Sequence, residues 1–207
     1  IQGLLDLYEA TFDPRSLQLA IKLHGTQISF FWDASEGGFY DFLGRDLSIL
    51  LRTKETYDGA EPAGNSVAAM NLIRISQMTD DSILKKKLET IIRLIGAQVQ
   101  QAPHAMPLMM AAIDSFLSTP KQIVIAGKRD SADTRKFLEE IARRYLPNKI
   151  LLLADGDSNQ EFLSSWLPFL ASMAPLENKA TAYICENYAC NLPTNDVNHF
   201  ITMLENS

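Results

Sequence analysis

The chain has 207 residues, 46% of them apolar and 21% charged, with a formal net charge of −6. This is a globular composition, long enough for one domain or two, and its acidic balance argues against a nucleic-acid partner because no basic field is present to neutralise phosphates. No apolar run reaches the roughly 18 residues that a membrane span needs, and two cysteines are too few for a disulfide framework, so no membrane partner and a reducing, cytoplasmic setting are expected.

The first residues, IQGLLDLYEATFD, lack an initiator methionine and begin inside an apolar helical pattern. An internal start is expected, with the missing N-terminal portion or another subunit as a partner. Residues 14–31 repeat apolar side chains at threes and fours (Leu17, Ala20, Ile21, His24, Ile28), with Asp13 before Pro14 as a natural helix start. WDASEGGFYDF at 32–42 reads as a turn region, in which Gly37-Gly38 can close a short hairpin. Helices are expected over about 62–77, 81–99 and 103–117. The second carries the stripe Leu84, Leu88, Ile91, Ile92, Ile95 and Val99. The third is apolar nearly all round, with Pro107 kinking it or shifting its start.

The pattern changes after Thr119. QIVIAG, KILLLADG and ATAYIC read as strands, separated by SADTRKFLEEIARRYL and NQEFLSSWLPFLASM and followed by a short closing helix at DVNHFITML. Such alternation favours a mostly parallel sheet. Pro168 is placed to break the helix around Trp166. The expected organisation is a helical domain over 1–118 and a small, three-stranded, mainly parallel α/β segment over 119–207.

Two acidic, aromatic loops are the main candidates for chemistry. FWDASEGGFYD offers Trp32, Asp33, Glu36, Tyr40 and Asp41, and YDGAEPAGNS offers Tyr57, Asp58, Glu61 and Asn65. Aromatic faces stack on sugar rings and paired carboxylates serve as acid and base. Equally, Asp33 and Asp58 can accept backbone N–H bonds in turns, Glu61 can cap the next helix and Tyr57 can pack. Gly59, Gly64 and Pro62 imply a constrained backbone near another element or a ligand. Arg74 in a mostly apolar helix either pairs with an interior carboxylate or extends outward. His24 and His104 are available proton carriers, though a core or capping role suits each better.

Elsewhere, Cys185 and Cys190 in CENYAC lack the two-residue spacing of a dithiol redox helix and, with His199, the spacing of a zinc site. Packed cysteines are the leading reading, with thiol chemistry or a disulfide as the alternative. AGKRDSAD and LADGDSN match no phosphate-loop pattern. Lys128 and Arg129 can meet an anion, but strand closure by Gly127 and helix capping by Ser131 or Asp133 explain the segment as well. No metal site or cofactor is expected.

The blocks GLLDLYEATFDPRSLQLAI, FWDASEGGFYD, LRTKETYDGAEPAGNSVAAMNLIRI, LPNKILLLADG and ATAYICENYACNLPTND together resemble the C-terminal part of the spermatogenesis-associated protein 20 family. The resemblance implies an N-terminal thioredoxin-like domain elsewhere in the polypeptide. It further implies that the helices belong to an α/α toroid of the six-hairpin glycosidase class, distantly similar to sugar 2-epimerases. On that basis residues 32–40 and 57–65 border a central cavity, although the chain has too few helices to close a toroid. No catalytic assignment comes with the resemblance. Two functions are therefore expected: a carbohydrate-binding or carbohydrate-active toroid, or an accessory module supporting the thioredoxin-like domain. A thiol role for the CENYAC pair is a third possibility.

Overall fold

The computed structural model describes residues 1–45, 48, 50–186 and 189–205. The chain divides into two compact units. One comprises Ile1–Asp6 and Arg15–Leu117, and the other Leu7–Pro14 and Ser118–Ser207. Helix α1 (Gln2–Thr11) contributes to both.

The first unit is helical. Helix α2 (Pro14–Phe31) opens on proline, whose missing N–H is no loss at the first helical position. It buries Leu17, Ala20 and His24 along one face. Helix α3 (Gly64–Thr79) is buried on most sides, with Ala68, Leu72 and Ile75 essentially inaccessible. It packs against α4 (Ser82–Gln101) and α5 (Pro107–Leu117). The start of α4 is fixed by Asp81, which accepts from the Ile83 and Leu84 backbone N–H groups. Its buried stripe is Leu84, Leu88, Ile91, Ile95 and Val99, the three-and-four spacing the sequence displays. Each such burial stabilises by about 1.5–3 kcal/mol. Residues 103–105 form a 3-10 turn, and α5 starts only at Pro107. The proline therefore shifts the start and leaves α5 unkinked.

The second unit holds strands β1 (Lys121–Ala126), β2 (Lys149–Ala154), β3 (Thr181–Glu186) and β4 (Ala189–Cys190) in the order β2-β1-β3-β4. Helices α6 (Ala132–Ala142), α7 (Ser158–Ser164) and α8 (Val197–Glu205) complete it. The core includes Ile123, Ile125, Leu152 and Leu153, and Phe137 of α6 meets Phe200 of α8 edge to face at 5.1 Å.

The mainly parallel, three-stranded sheet expected from the sequence is corrected here. Among the described residues the sheet has four strands. Only β1–β2 is parallel, and β1–β3 and β3–β4 are antiparallel. The reason lies in the connection after β2. Helix α7 has seven residues and rises about 10 Å, against the roughly 20 Å length of a six-residue strand. The chain then folds back on α7 through a 3-10 turn at Pro168–Ser172. It never returns to the starting end of the sheet, so Thr181 enters opposite Ala126 and β3 runs backwards along β1. Among the described residues, no helix is long and apolar enough to cross a membrane.

Candidate functional site

The two acidic loops meet α3 and α4 in the first unit. An isolated antiparallel bridge joins Trp32 to Phe39, with Gly37 (φ +85°) and Gly38 (φ +77°) turning the chain between them. Both glycines are needed for φ, and Gly37 for space as well. A Cβ on Gly37 would strike the Thr90 side chain, and one on Gly38 would lie 3.0 Å from Leu94 Cδ2. The Trp32 ring packs edge-on against Phe39 at 5.2 Å and is covered by Lys87 Nζ at 3.9 Å. Desolvation pulls the Lys87 ammonium below its ordinary value.

Asp33 is buried at 6% exposure and fully engaged. Its Oδ1 accepts from Ser35 N–H (2.8 Å) and Ser35 Oγ (2.6 Å), and its Oδ2 accepts from Tyr40 Oη (2.8 Å) and Lys54 Nζ (2.7 Å). Lys54 also donates to the Gly37 carbonyl at 2.8 Å. Lys54 first, then Ser35, hold the Asp33 carboxyl far below the usual carboxylate range. The stabilisation from this ionised group is complete above the ordinary aspartate value near about 3.9, and is lost as the pH falls from there towards its folded-state value. Urea midpoints measured between about pH 7 and pH 3 are expected to fall at the acid end, and to fall less steeply in Asp33→Asn.

Asn65 joins the loops. Its Oδ1 accepts from Phe39 N–H (2.8 Å), and its Nδ2 donates to the carbonyls of Phe39 (2.9 Å) and Glu55 (3.2 Å). Asp58 binds two helix starts. Oδ1 accepts from Ala63 N–H (2.8 Å) before α3, and Oδ2 accepts from Leu108 (2.8 Å) and Met109 (3.2 Å) N–H in the first turn of α5. Ala63 and Pro107 bring no side-chain acceptor of their own to these starts, and Asp58 supplies it.

The remaining candidates scatter. Tyr57 is 61% exposed, and Glu61 and His104 are also exposed. Arg74 pairs with Asp6 at 2.6 Å, and because Asp6 is 60% exposed the partner is a surface carboxylate rather than the interior one expected. His24 is buried, and burial lowers its pKa against a smaller opposing contribution from Gln27. A cavity of about 290 Å³ is lined by Gln27, Phe31, Phe39, Tyr40, Asp41 and Gly64. Of the residues that the two acidic loops offer, Tyr40 and Asp41 line it, whereas Trp32, Asp33, Tyr57, Asp58, Glu61 and Asn65 do not, nor do Arg74, His24 and His104. The structure brings Trp32, Asp33 and Asn65 together around Phe39 and its neighbours, but as parts of a support network.

Sequence reasoning missed Lys54 and Arg52. The Arg52 guanidinium stacks on Tyr40 at 3.7 Å while Lys54 lies 4.9 Å from the same ring. Their i, i+2 spacing in an extended segment was the available signal, because alternate residues there share a side.

In the second unit the basic residues of AGKRDSAD are committed. Lys128 pairs with Asp157 at 2.8 Å, and Arg129 donates to the Thr11 carbonyl at 3.1 Å. Asp133 accepts from Ala180 N–H at 2.7 Å. Cys185 and Cys190 form a disulfide across β3 and β4, which replaces the leading reading of two separately packed thiols. Asn187 and Tyr188 of the CENYAC motif lie outside the described residues. Among the described residues, no group of three His, Cys, Asp or Glu side chains is arranged to hold a metal ion.

The chain is thus a two-unit protein: a helical unit whose polar loops form a hydrogen-bonded scaffold, and a small mixed-sheet α/β unit. Its sequence is similar to that of spermatogenesis-associated protein 20, with 42% identity to the human protein and 41% to the mouse protein over 199 residues. These matches cover 95% of this chain and 25% of each relative, so the chain spans a quarter of the length of the curated proteins it matches. An uncharacterized protein of Caenorhabditis elegans is 26% identical over 193 residues, covering 93% of this chain and 26% of that protein. No family model matches the chain.

Proposed function

We propose that this chain is a non-catalytic interaction module, corresponding to the C-terminal region of proteins like spermatogenesis-associated protein 20. Its helical unit would be an arc of an α/α toroid that docks on the remainder of the longer polypeptide. The observation that carries this reading is an exposed apolar stripe on α2. Leu19, Leu23 and Phe30 are 45%, 40% and 43% exposed, and at about 100° per residue they fall within about 40° of one another. An exposed apolar stripe of this kind, interrupted by Thr26 and with the Arg45 guanidinium 5.5 Å from the Phe30 ring, marks a contact face. The engagement of Asp33 and Asp58 supports the same reading, because every oxygen of the two carboxylates already accepts at least one hydrogen bond.

The test is co-expression with human spermatogenesis-associated protein 20 from which the matching quarter has been deleted. A one-to-one complex is expected, together with its loss in a folded Leu19→Glu/Leu23→Glu variant. Independent migration of the two polypeptides would reject the module reading.

A second reading, carbohydrate binding, is favoured by the cavity that sets Phe31, Phe39 and Tyr40 beside Gln27 and Asp41. Aromatic walls with a few polar groups suit a sugar ring. Calorimetry of the complex against a panel of mono- and disaccharides tests it. Heats abolished by Phe31→Ala would support binding, and uniform absence of heat would remove this reading.

A further inference from the structure

We propose that the Cys185–Cys190 disulfide is a reversible redox site that exchanges with a protein dithiol through Cys190. The two cysteines are directly opposed in the β3–β4 register, with Cα atoms 3.9 Å apart. Asn191 N–H donates to the Ile184 carbonyl at 2.9 Å. By the alternation of an antiparallel ladder, Cys185 and Cys190 therefore occupy the adjoining non-hydrogen-bonded position, where facing side chains are closest. The bond can open and close there without disturbing a backbone hydrogen bond.

The two cysteine residues differ in exposure. Cys185 is 1% exposed on β3, with Gln122 of β1 opposite it. Cys190 is exposed on β4, which ends the sheet order. An incoming thiolate thus meets Cys190 first, and accessibility is one of the factors that govern exchange.

The bond is also dispensable to the fold. Its partners are five positions apart in sequence, so it closes a short loop and constrains the unfolded chain little compared with a long-range staple. Strand β3 is held independently by six residue pairs with β1. The segment after β4 is pinned by reciprocal hydrogen bonds of 2.8 and 3.0 Å between Ala182 and Thr194. Reduction removes one link from an edge that has others.

In the exchange, a partner thiolate attacks Cys190 Sγ. The intramolecular S–S bond breaks, and Cys185 leaves as a thiolate and takes up a proton. The partner's second thiol then attacks the partner sulfur of the mixed disulfide, releasing Cys190 and closing the partner's own disulfide. Two electrons and two protons pass from the dithiol to this chain, and the reverse sequence reoxidises it.

The experiment equilibrates the 207-residue chain with dithiothreitol, or with oxidised glutathione, and counts alkylated thiols by mass spectrometry alongside circular dichroism. Two labels with an unchanged spectrum are expected in dithiothreitol, and no labels after oxidation. Cys185→Ser is expected to become glutathionylated at Cys190, while Cys190→Ser stays unmodified. Labelling that appears only as the spectrum collapses would make the bond a structural staple and overturn the proposal. Resistance to dithiothreitol in the native protein, or equal glutathionylation of the two variants, would overturn it as well.

Discussion

Asp58→Ala is expected to lower the unfolding free energy by about 3–5 kcal/mol, a large share of the 5–15 kcal/mol typical of a folded protein. The substitution leaves three backbone N–H donors without their acceptor: those of Ala63, Leu108 and Met109. A lost helix cap costs about 0.5–2 kcal/mol. Two helix starts are affected at once, and a buried donor left unsatisfied adds about 1–3 kcal/mol. Urea denaturation followed by circular dichroism measures the effect as a lower midpoint with an unchanged slope. Asp58→Asn retains one amide oxygen, which can serve one helix start but not both, so it is expected to lie between the wild type and alanine. A loss below about 1 kcal/mol for Asp58→Ala would mean that the two helix starts are satisfied without it.

Asn65→Ala is the second large effect, expected at about 2–4 kcal/mol. Asn65 is 1% exposed and satisfies both the N–H and the carbonyl of Phe39, together with the Glu55 carbonyl. Alanine strands all three. Asn65→Asp keeps the acceptor for Phe39 N–H but turns a carboxylate oxygen towards two carbonyls. It is expected to be no better than alanine at neutral pH. The FWDASEGGFYD loop should detach before the helices melt, so limited proteolysis of Asn65→Ala is expected to cut near residues 40–56 while α4 stays intact.

These effects show which parts of the molecule its sequence carries openly. The stripe of α4 and the delayed start of α5 at Pro107 follow from local rules of spacing and proline geometry. Capping is also local where donor and acceptor are neighbours, as in Asp81 with Ile83 and Leu84. The role of Asn65 is hidden because its partner Phe39 lies 26 residues away. Nothing in GNSVAAM distinguishes a first-turn asparagine in solvent from one buried against a hairpin. For Asp33 and Asp58 the sequence favours a turn anchor but leaves an acid–base group open, since the residue type suits both. What decides is the count of donors around each oxygen.

Strand direction is hidden for a different reason. It depends on whether the chain from β2 returns the full length of the sheet, and α7 ends too early for that. Pro168 hints at the break but not at its consequence. The pairing of Cys185 with Cys190 depends in turn on β4, a strand of two residues that has no hydrophobic period of its own.

The scaffold role of the acidic loops is tested most directly by the carbon-13 titration of the Asp33 carboxyl group in the folded chain. A carboxylate committed to Lys54, Ser35 and Tyr40 stays ionised, so its chemical shift is expected to remain flat down to about pH 3. A carboxyl group held ready to donate a proton would instead show an inflection at or above about pH 4. That result would contradict the scaffold role and return Asp33 to the candidates for catalysis.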